Sequence, residues 1–182
     1  MRQNIAFIIV GLLTIVSTIL TKPFSFIHVP NGIVLSEPTQ IEKFMDRIAY
    51  IETAGAGYQI VNKYGMMGRY QFSPTTVRAV GITATRQQFL QNEELQDTAM
   101  IRLMRLNERE LSGYIQRYDG RIVKGVRVNR ASILAGAHFA GANGVKRFLT
   151  NADYNGTVDG FGTSLRKYMS YFSTFHLPPI SI

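Results

Sequence analysis

The chain has no cysteine, and that one absence removes disulfide bridges, thiol nucleophiles and cysteine-ligated zinc together. Histidine is nearly as scarce: His28, His138 and His176 are scattered, with no spacing that would gather them on one ion. Nothing here calls for a metal or a cofactor. Acidic side chains are also in short supply, 12 against 20 basic, which leaves a net charge of +8. No internal repeat or low-complexity stretch appears. What is present is 182 residues, 46% hydrophobic and 18% charged, enough for one compact domain with a real core and a short extra segment, but not for two large domains.

The extra segment is at the start. Met1-Arg2-Gln3-Asn4 precedes seventeen uncharged residues, Ile5 to Thr21, which are followed by Lys22-Pro23. A basic start and an apolar run of this kind form a membrane-targeting segment, and at ~1.5 Å per helical residue the run spans about 26 Å, the short end of what crosses a bilayer. Residues 1–22 are therefore expected to be a hydrophobic helix acting as a signal peptide or a membrane anchor, with a buried core helix as the competing reading. Ser17-Thr18-Ile19-Leu20-Thr21 supplies poorly the small residues that cleavage needs, which favours an anchor with the domain outside the cytoplasm. No cysteine follows the run, so lipoprotein processing is excluded. Residues 23–38, with Pro23, Pro30, Pro38 and Asn31-Gly32, read as a linker with turn signals and no helical period, and the folded unit is expected over 39–182.

That unit is organised around Glu52. Thr39-Gln40-Ile41-Glu42 has the form of a capping box that opens a helix. Ile41, Met45 and Ile48 then recur at helical spacing, and one more turn along the same apolar stripe arrives at Glu52. Ala54-Gly55-Ala56-Gly57 should stop the helix at Gly55, leaving Glu52 in the last turn at the negative end of the macrodipole. Partial burial and the dipole both disfavour the carboxylate anion, and a raised pKa suits a proton donor at neutral pH. The structural alternative is a helix-end glutamate paired with an arginine or lysine.

Three blocks then follow one another in the chain: Glu52-Thr53; Gly68-Arg69-Tyr70-Gln71-Phe72 with Pro74; and Ala137-His138-Phe139-Ala140-Gly141. Together they resemble the goose-type lysozyme and lytic transglycosylase domain, over roughly residues 40–149. The resemblance implies a mainly α, lysozyme-like helical domain with a small β-hairpin, in which Glu52 is the sole catalytic acid and the other two blocks line a sugar groove. It implies that Gln71 holds substrate through its amide, that Tyr70 offers a ring face to a sugar and that Thr53 steadies the carboxylate. His138 and Phe139 would line the groove, with His138 facing Glu52. The chain departs from the family pattern at several places. Thr53 stands where serine is usual, Arg69 and Tyr70 replace two apolar residues, His138 replaces a tyrosine and Phe139 an asparagine.

The remaining segments are legible by local signals. Tyr58 to Tyr64 alternates like a short extended piece. Ser73-Pro74 is a cap with proline at the first helical position, Gly81 ends that helix, and Thr85 to Gln88 is a second capping box. A longer helix starts at Asn92 with Leu95, Ala99, Leu103 and Leu106 as its core stripe, and Leu111, Tyr114, Ile115 and Tyr118 form another. Gly120 to Val128 alternates into a hairpin turning near Gly125, and Asn129 caps the helix that delivers His138. Gly141 to Gly144 should break that helix, and Leu165, Tyr168, Met169 and Phe172 mark a last amphipathic one. Asn151 to Asp159 begins like a calcium loop, but its closing glutamate position is Gly162, so a plain turn explains it better.

Residues 102 to 130 carry eight basic side chains against three acidic ones. Such an excess attracts polyanions. A chain with an export segment meets anionic wall polymer and lipid head groups rather than nucleic acid, and a solvated helix face is the plain alternative. The reaction implied is cleavage of the MurNAc-GlcNAc β-1,4 bond of peptidoglycan. Glycosidases normally use two carboxylates, whereas Glu52 is the only one inside the three blocks, and Asp153 and Asp159 lie far along the chain in an expected turn. One unpartnered acid resembles a lytic transglycosylase, in which the sugar's own 6-hydroxyl closes onto the anomeric carbon. A lysozyme-type hydrolase of the same fold stays open. So does a membrane-anchored wall-binding protein on that scaffold with no turnover. The protein is expected to be exported, either periplasmic or anchored in the cytoplasmic membrane facing outward, with peptidoglycan strands as its partner.

Overall fold

The computed structural model describes residues 25–29, 32–160 and 162–180. The apolar run Ile5 to Thr21 lies outside the described residues. Among the described residues no helix is long and apolar enough to cross a membrane. The chain divides into two compact units, 1–38 and 39–182. In the first, where a linker without regular structure was expected, strands β1 (Ser25–Val29) and β2 (Gly32–Ser36) form an antiparallel hairpin with Ile27 opposite Val34. Asn31-Gly32 was the available hairpin signal, and the flanking prolines obscured it.

The second unit is mainly helical. Helix α1 (Gln40–Thr53) opens on the expected capping box: the Thr39 hydroxyl accepts from the Glu42 amide, and the Glu42 carboxylate accepts from the Thr39 amide at 2.7 Å. It buries Phe44, Met45, Ile48 and Ala49 and closes on Ala54 in the left-handed conformation. Helices α2 (Pro74–Ala79) and α3 (Arg86–Leu90) are short, and each has the hydroxyl cap expected for it. Between α1 and α2 there is no strand. Residues 58–72 form an irregular loop with isolated bridges from Met67 to Val61 and to Phe72.

Helix α4 (Glu93–Tyr118) is one continuous element, and its buried face differs from the one expected. Gln96, Ala99, Met100, Met104, Asn107, Leu111, Ile115 and Tyr118 are inside, whereas Leu106 is exposed and Leu95 and Leu103 are only partly covered. Two buried polar residues, Gln96 and Asn107, disguise the true stripe, because a periodicity count of apolar residues steps over them. Strands β3 (Ile122–Val123) and β4 (Val126–Arg127) make a tight hairpin whose turn residues, Lys124 and Gly125, both have positive φ. That is the backbone a two-residue turn demands.

Helix α5 (Arg130–Thr150) runs through the middle of the core, with every residue from Ala131 to Ala137 buried. Gly136 faces Met169 of helix α6 (Leu165–Tyr171) so closely that a Cβ there would lie 2.8 Å from the Met169 side chain. The helix is interrupted at Gly141 alone, with φ 70° and ψ 164°, and then resumes. Its central stretch is thus an apolar rod, and it loses its cover at His138, Phe139 and Ala140, which are only partly buried.

Several of the basic residues between 102 and 130 are braces for this fold. Arg102 donates to the carbonyls of Val80 and Gly81, Arg130 pairs with Glu108, and Lys124 donates to the carbonyls of Asn151 and Tyr154. Arg109, Arg117, Arg121 and Arg127 remain exposed.

Candidate active site

The end of α1 opens into a groove of two lobes. One, of about 280 Å³, is walled by Tyr64, Met66, Phe72, Leu103, His138 and Phe139. The other, of about 430 Å³, is walled by Ile51, Ile60, Val61, Thr163 and Tyr168. Glu52, Asn62, Gln71 and Asp159 line both, so they mark the place where the lobes meet.

Glu52 reaches this junction from the last turn of α1, where the helix runs out of amide donors and presents carbonyls. Its side chain is 22% exposed, and one hydrogen bond is defined for it: the Tyr168 hydroxyl donates to Oε1 at 2.8 Å. Loss of hydration pushes its pKa up to about 7; the Tyr168 bond opposes that rise and the nearby Asp159 adds to it. Among the described residues no arginine or lysine forms an ion pair with Glu52, so the structural alternative of a helix-end salt bridge is not what the fold builds.

His138 lies with Nε2 3.7 Å from Glu52 Oε1, too far for a hydrogen bond. Burial drives its pKa down to about 4, an effect the Tyr70 backbone partly offsets, so the ring is neutral where Glu52 titrates. The pair is therefore a carboxyl group beside a neutral imidazole and not an ion pair. His138 Nδ1 is buried, and the ring packs edge-on to Phe72 at 5.9 Å. Phe139 stacks on Tyr168 at 4.8 Å, and Tyr168 stacks on Phe172 at 5.7 Å, which fixes the phenol that serves Glu52.

Gln71 has φ of 52°, an uncommon conformation for a residue with a side chain. Its Nε2 folds back to donate to the Gly68 carbonyl at 2.8 Å. The turn is held from beneath by Gln96, which is fully buried, accepts from the Arg69 amide at 2.9 Å and donates to the carbonyls of Tyr58 and Phe89. Gly68 lies so near that a Cβ would come within 1.9 Å of Gln96 Oε1. Only glycine fits there.

Two expectations are corrected. Tyr70 does not offer a ring to the groove: it is fully buried and donates to Asp97 at 2.7 Å. Arg69 covers it, pairing with Asp46 and donating to the Tyr58 hydroxyl at 2.7 Å, so these polar residues complete one another inside the loop. Thr53 lines the second lobe but does not steady the carboxylate: its hydroxyl donates to the Ala49 carbonyl at 2.8 Å, one turn back in its own helix. Gln71, His138 and Phe139 do meet Glu52 at the groove.

Sequence reasoning missed Asn62, Tyr168 and Asp159. Asn62 carries no signal beyond the extended piece that holds it; its Oδ1 accepts from the amides of Tyr64 and Met66 and shapes the loop. Tyr168 falls within an apolar stripe of the sequence, and its only hint is that a buried phenol needs a partner. Asp159, expected in a remote turn, is brought back to the groove by that turn, and no local signal marks the return. Among the described residues no group of three histidine, aspartate or glutamate side chains is gathered to hold a metal ion. No family model, no curated protein and no solved structure matches the chain.

Proposed function

We propose that the chain is a lytic transglycosylase of peptidoglycan, exported to face the wall, with a lysozyme-like helical domain in which Glu52 protonates the MurNAc-GlcNAc glycosidic oxygen. The observation that carries this is the state of Glu52. It is a poorly hydrated carboxyl at a helix C-terminus, raised to about 7, opening on a two-lobed groove and touched by a phenol instead of a cation. A group near neutrality both gives and takes a proton readily.

The glycan lies along the groove with the scissile bond over Glu52. Proton transfer to the bridging oxygen breaks the C–O bond and leaves positive charge on the anomeric carbon. The sugar's 6-hydroxyl adds to that carbon and its proton returns to Glu52, so the acid is restored without water as reactant. Neutral His138 adds no positive charge that would ionise the carboxyl prematurely, and the Tyr168 hydroxyl holds it in place. Gln71, whose Nε2 is held on the Gly68 carbonyl, presents its amide oxygen to the sugar, and Phe139 supplies an apolar wall. Asp159 in the same groove favours a second reading, hydrolysis by a lysozyme of the same fold, since a second carboxylate is what water activation uses.

Digestion of purified murein sacculi tests the proposal. Soluble fragments ending in anhydro sugar are expected from the wild type and none from Glu52→Gln, while reducing ends select the hydrolase. Equal release by both chains refutes the site. Retained binding without release from either makes the domain a wall-binding module.

A further inference from the structure

The two lobes share more than Glu52. Any chain threaded through both must pass Asp159, which lines each of them from the opposite side of the sequence, over one hundred residues away. Its side chain is oriented by its own turn. Oδ1 accepts from the Thr163 amide at 2.7 Å, the Asp159 amide donates to the Thr163 carbonyl at 2.9 Å, and the Gly162 amide donates to the Asp159 carbonyl at 3.2 Å. Val158 and Ser164 bridge beside it, and Gly160 sits against the Tyr64 ring, where a Cβ would come within 2.5 Å of the hydroxyl. An aspartate held this way points where its turn points.

We propose that Asp159 is a second catalytic carboxylate of the groove, an anion set against the positive charge that develops on the anomeric carbon when Glu52 protonates the leaving oxygen. This rests on the reading of Glu52 as a glycosidic acid. Glu52 loses a proton to the bridging oxygen and the electrons of the broken bond stay on that oxygen. Asp159 changes neither its charge nor its bonds, and the proton released by the incoming hydroxyl goes back to Glu52. The same anion works on Glu52 in the resting site, since a like charge nearby makes ionisation harder. The other titratable groups at the groove are His138 from α5, Tyr168 from α6 and Tyr64 from the first loop. His138 is neutral and the Tyr168 phenol is pushed up. Asp153 of the same loop is exposed and lines neither lobe, and Asp97 accepts from the Tyr58 and Tyr70 hydroxyls.

Asp159→Asn tests this while keeping an oxygen for the Thr163 amide. Turnover of wall glycan should fall about 10²–10³-fold with KM little changed, as for other preorganised charges facing a developing ion. The Glu52 carboxyl, followed by carbon-13 NMR and assigned with Glu52→Gln, should titrate at lower pH, and the alkaline limb of the activity profile should move down with it. Asp159→Glu should recover part of the turnover. Unchanged turnover in Asp159→Asn overturns the proposal, and so does a loss of turnover with the Glu52 titration left in place. If Asp159→Asn unfolds, Asp159→Ser takes its place under the same criteria. A wild type that releases nothing from sacculi overturns the sugar reading and the anomeric role together. The NMR titration does not depend on turnover, so it tells that failure from a failure of the coupling between the two carboxylates.

Discussion

The groove has two irregular walls, and they are built on different principles. The loop 58–72 is fixed by buried side chains: Gln96 beneath it, Tyr70 inside it, and Arg69 joining Asp46 to the Tyr58 hydroxyl. The loop 151–164 is fixed mostly by local bonds, between Asp159 and Thr163 and between Thr157 and Leu165, with Lys124 bracing the Asn151 and Tyr154 carbonyls, while most of its side chains are exposed. Buried polar clamps are costly to break, whereas exposed turns open at little cost. The first wall is therefore a template held by buried side chains that aims Gln71, and the second, held by local bonds, carries Asp159 to the groove.

The sharpest test of this contrast is the residue both walls serve. Glu52→Gln should lower turnover by about 10²–10⁴-fold, the range for a lost general acid, read from fragment release. Its effect on stability should have the opposite sign. A carboxyl raised to about 7 favours the folded state below its unfolded pKa near 4.5, and that contribution is lost as pH rises through 7. Glu52→Gln should thus be more stable than the wild type at pH 8 by up to roughly 2–3 kcal/mol, and about equal to it at pH 4, in denaturant titrations.

Next comes a matched pair of glycines, one from each wall. Gly68→Ala drives a Cβ into the buried Gln96 amide and leaves a φ of 71° strained, so it should cost about 3 kcal/mol and most of the activity. Gly160→Ala meets only the tip of the half-exposed Tyr64 ring, which can swing away, so it should cost under about 1 kcal/mol and act on KM. Equal losses of thermal stability in the two variants would erase the distinction between the walls. Gln96→Ala extends the test without touching the groove: it strands the Arg69 amide and two carbonyls and should cost about 3 kcal/mol.

Smaller effects belong to the partners of Glu52. Tyr168→Phe removes the one donor that favours the anion, so the Glu52 titration and the alkaline limb of activity should move up, by about one pH unit at most. His138 has a depressed pKa, so its contribution is present above its unfolded value of 6.5 and fades as pH falls toward 4. His138→Gln should flatten the stability curve on that acid side, a difference visible in melting temperatures taken from pH 7 to pH 4.

Local chemistry fixed a good part of this molecule in advance. Each hydroxyl or amide cap at Thr39, Ser73, Thr85, Asn92 and Asn129 begins a helix where its spacing says it should, because a cap is settled among four consecutive residues. The same locality made Glu52 legible, since an apolar stripe and two glycines put it at the inner end of a helix. Three things were invisible at that range. The buried face of α4 turns on Gln96, whose partners are Arg69, 27 residues earlier in the chain, Tyr58 of the same loop and Phe89 of α3. Tyr70 goes inward because Asp97 and Arg69 meet it there. Tyr168 and Asp159 reach Glu52 from more than one hundred positions away. The sequence by itself determined where helices begin and which carboxyl would be poorly hydrated, because those depend on neighbours along the chain. The tertiary structure alone decided which groups share that carboxyl's surroundings, because a pKa, a buried amide and a groove are properties of neighbours in space.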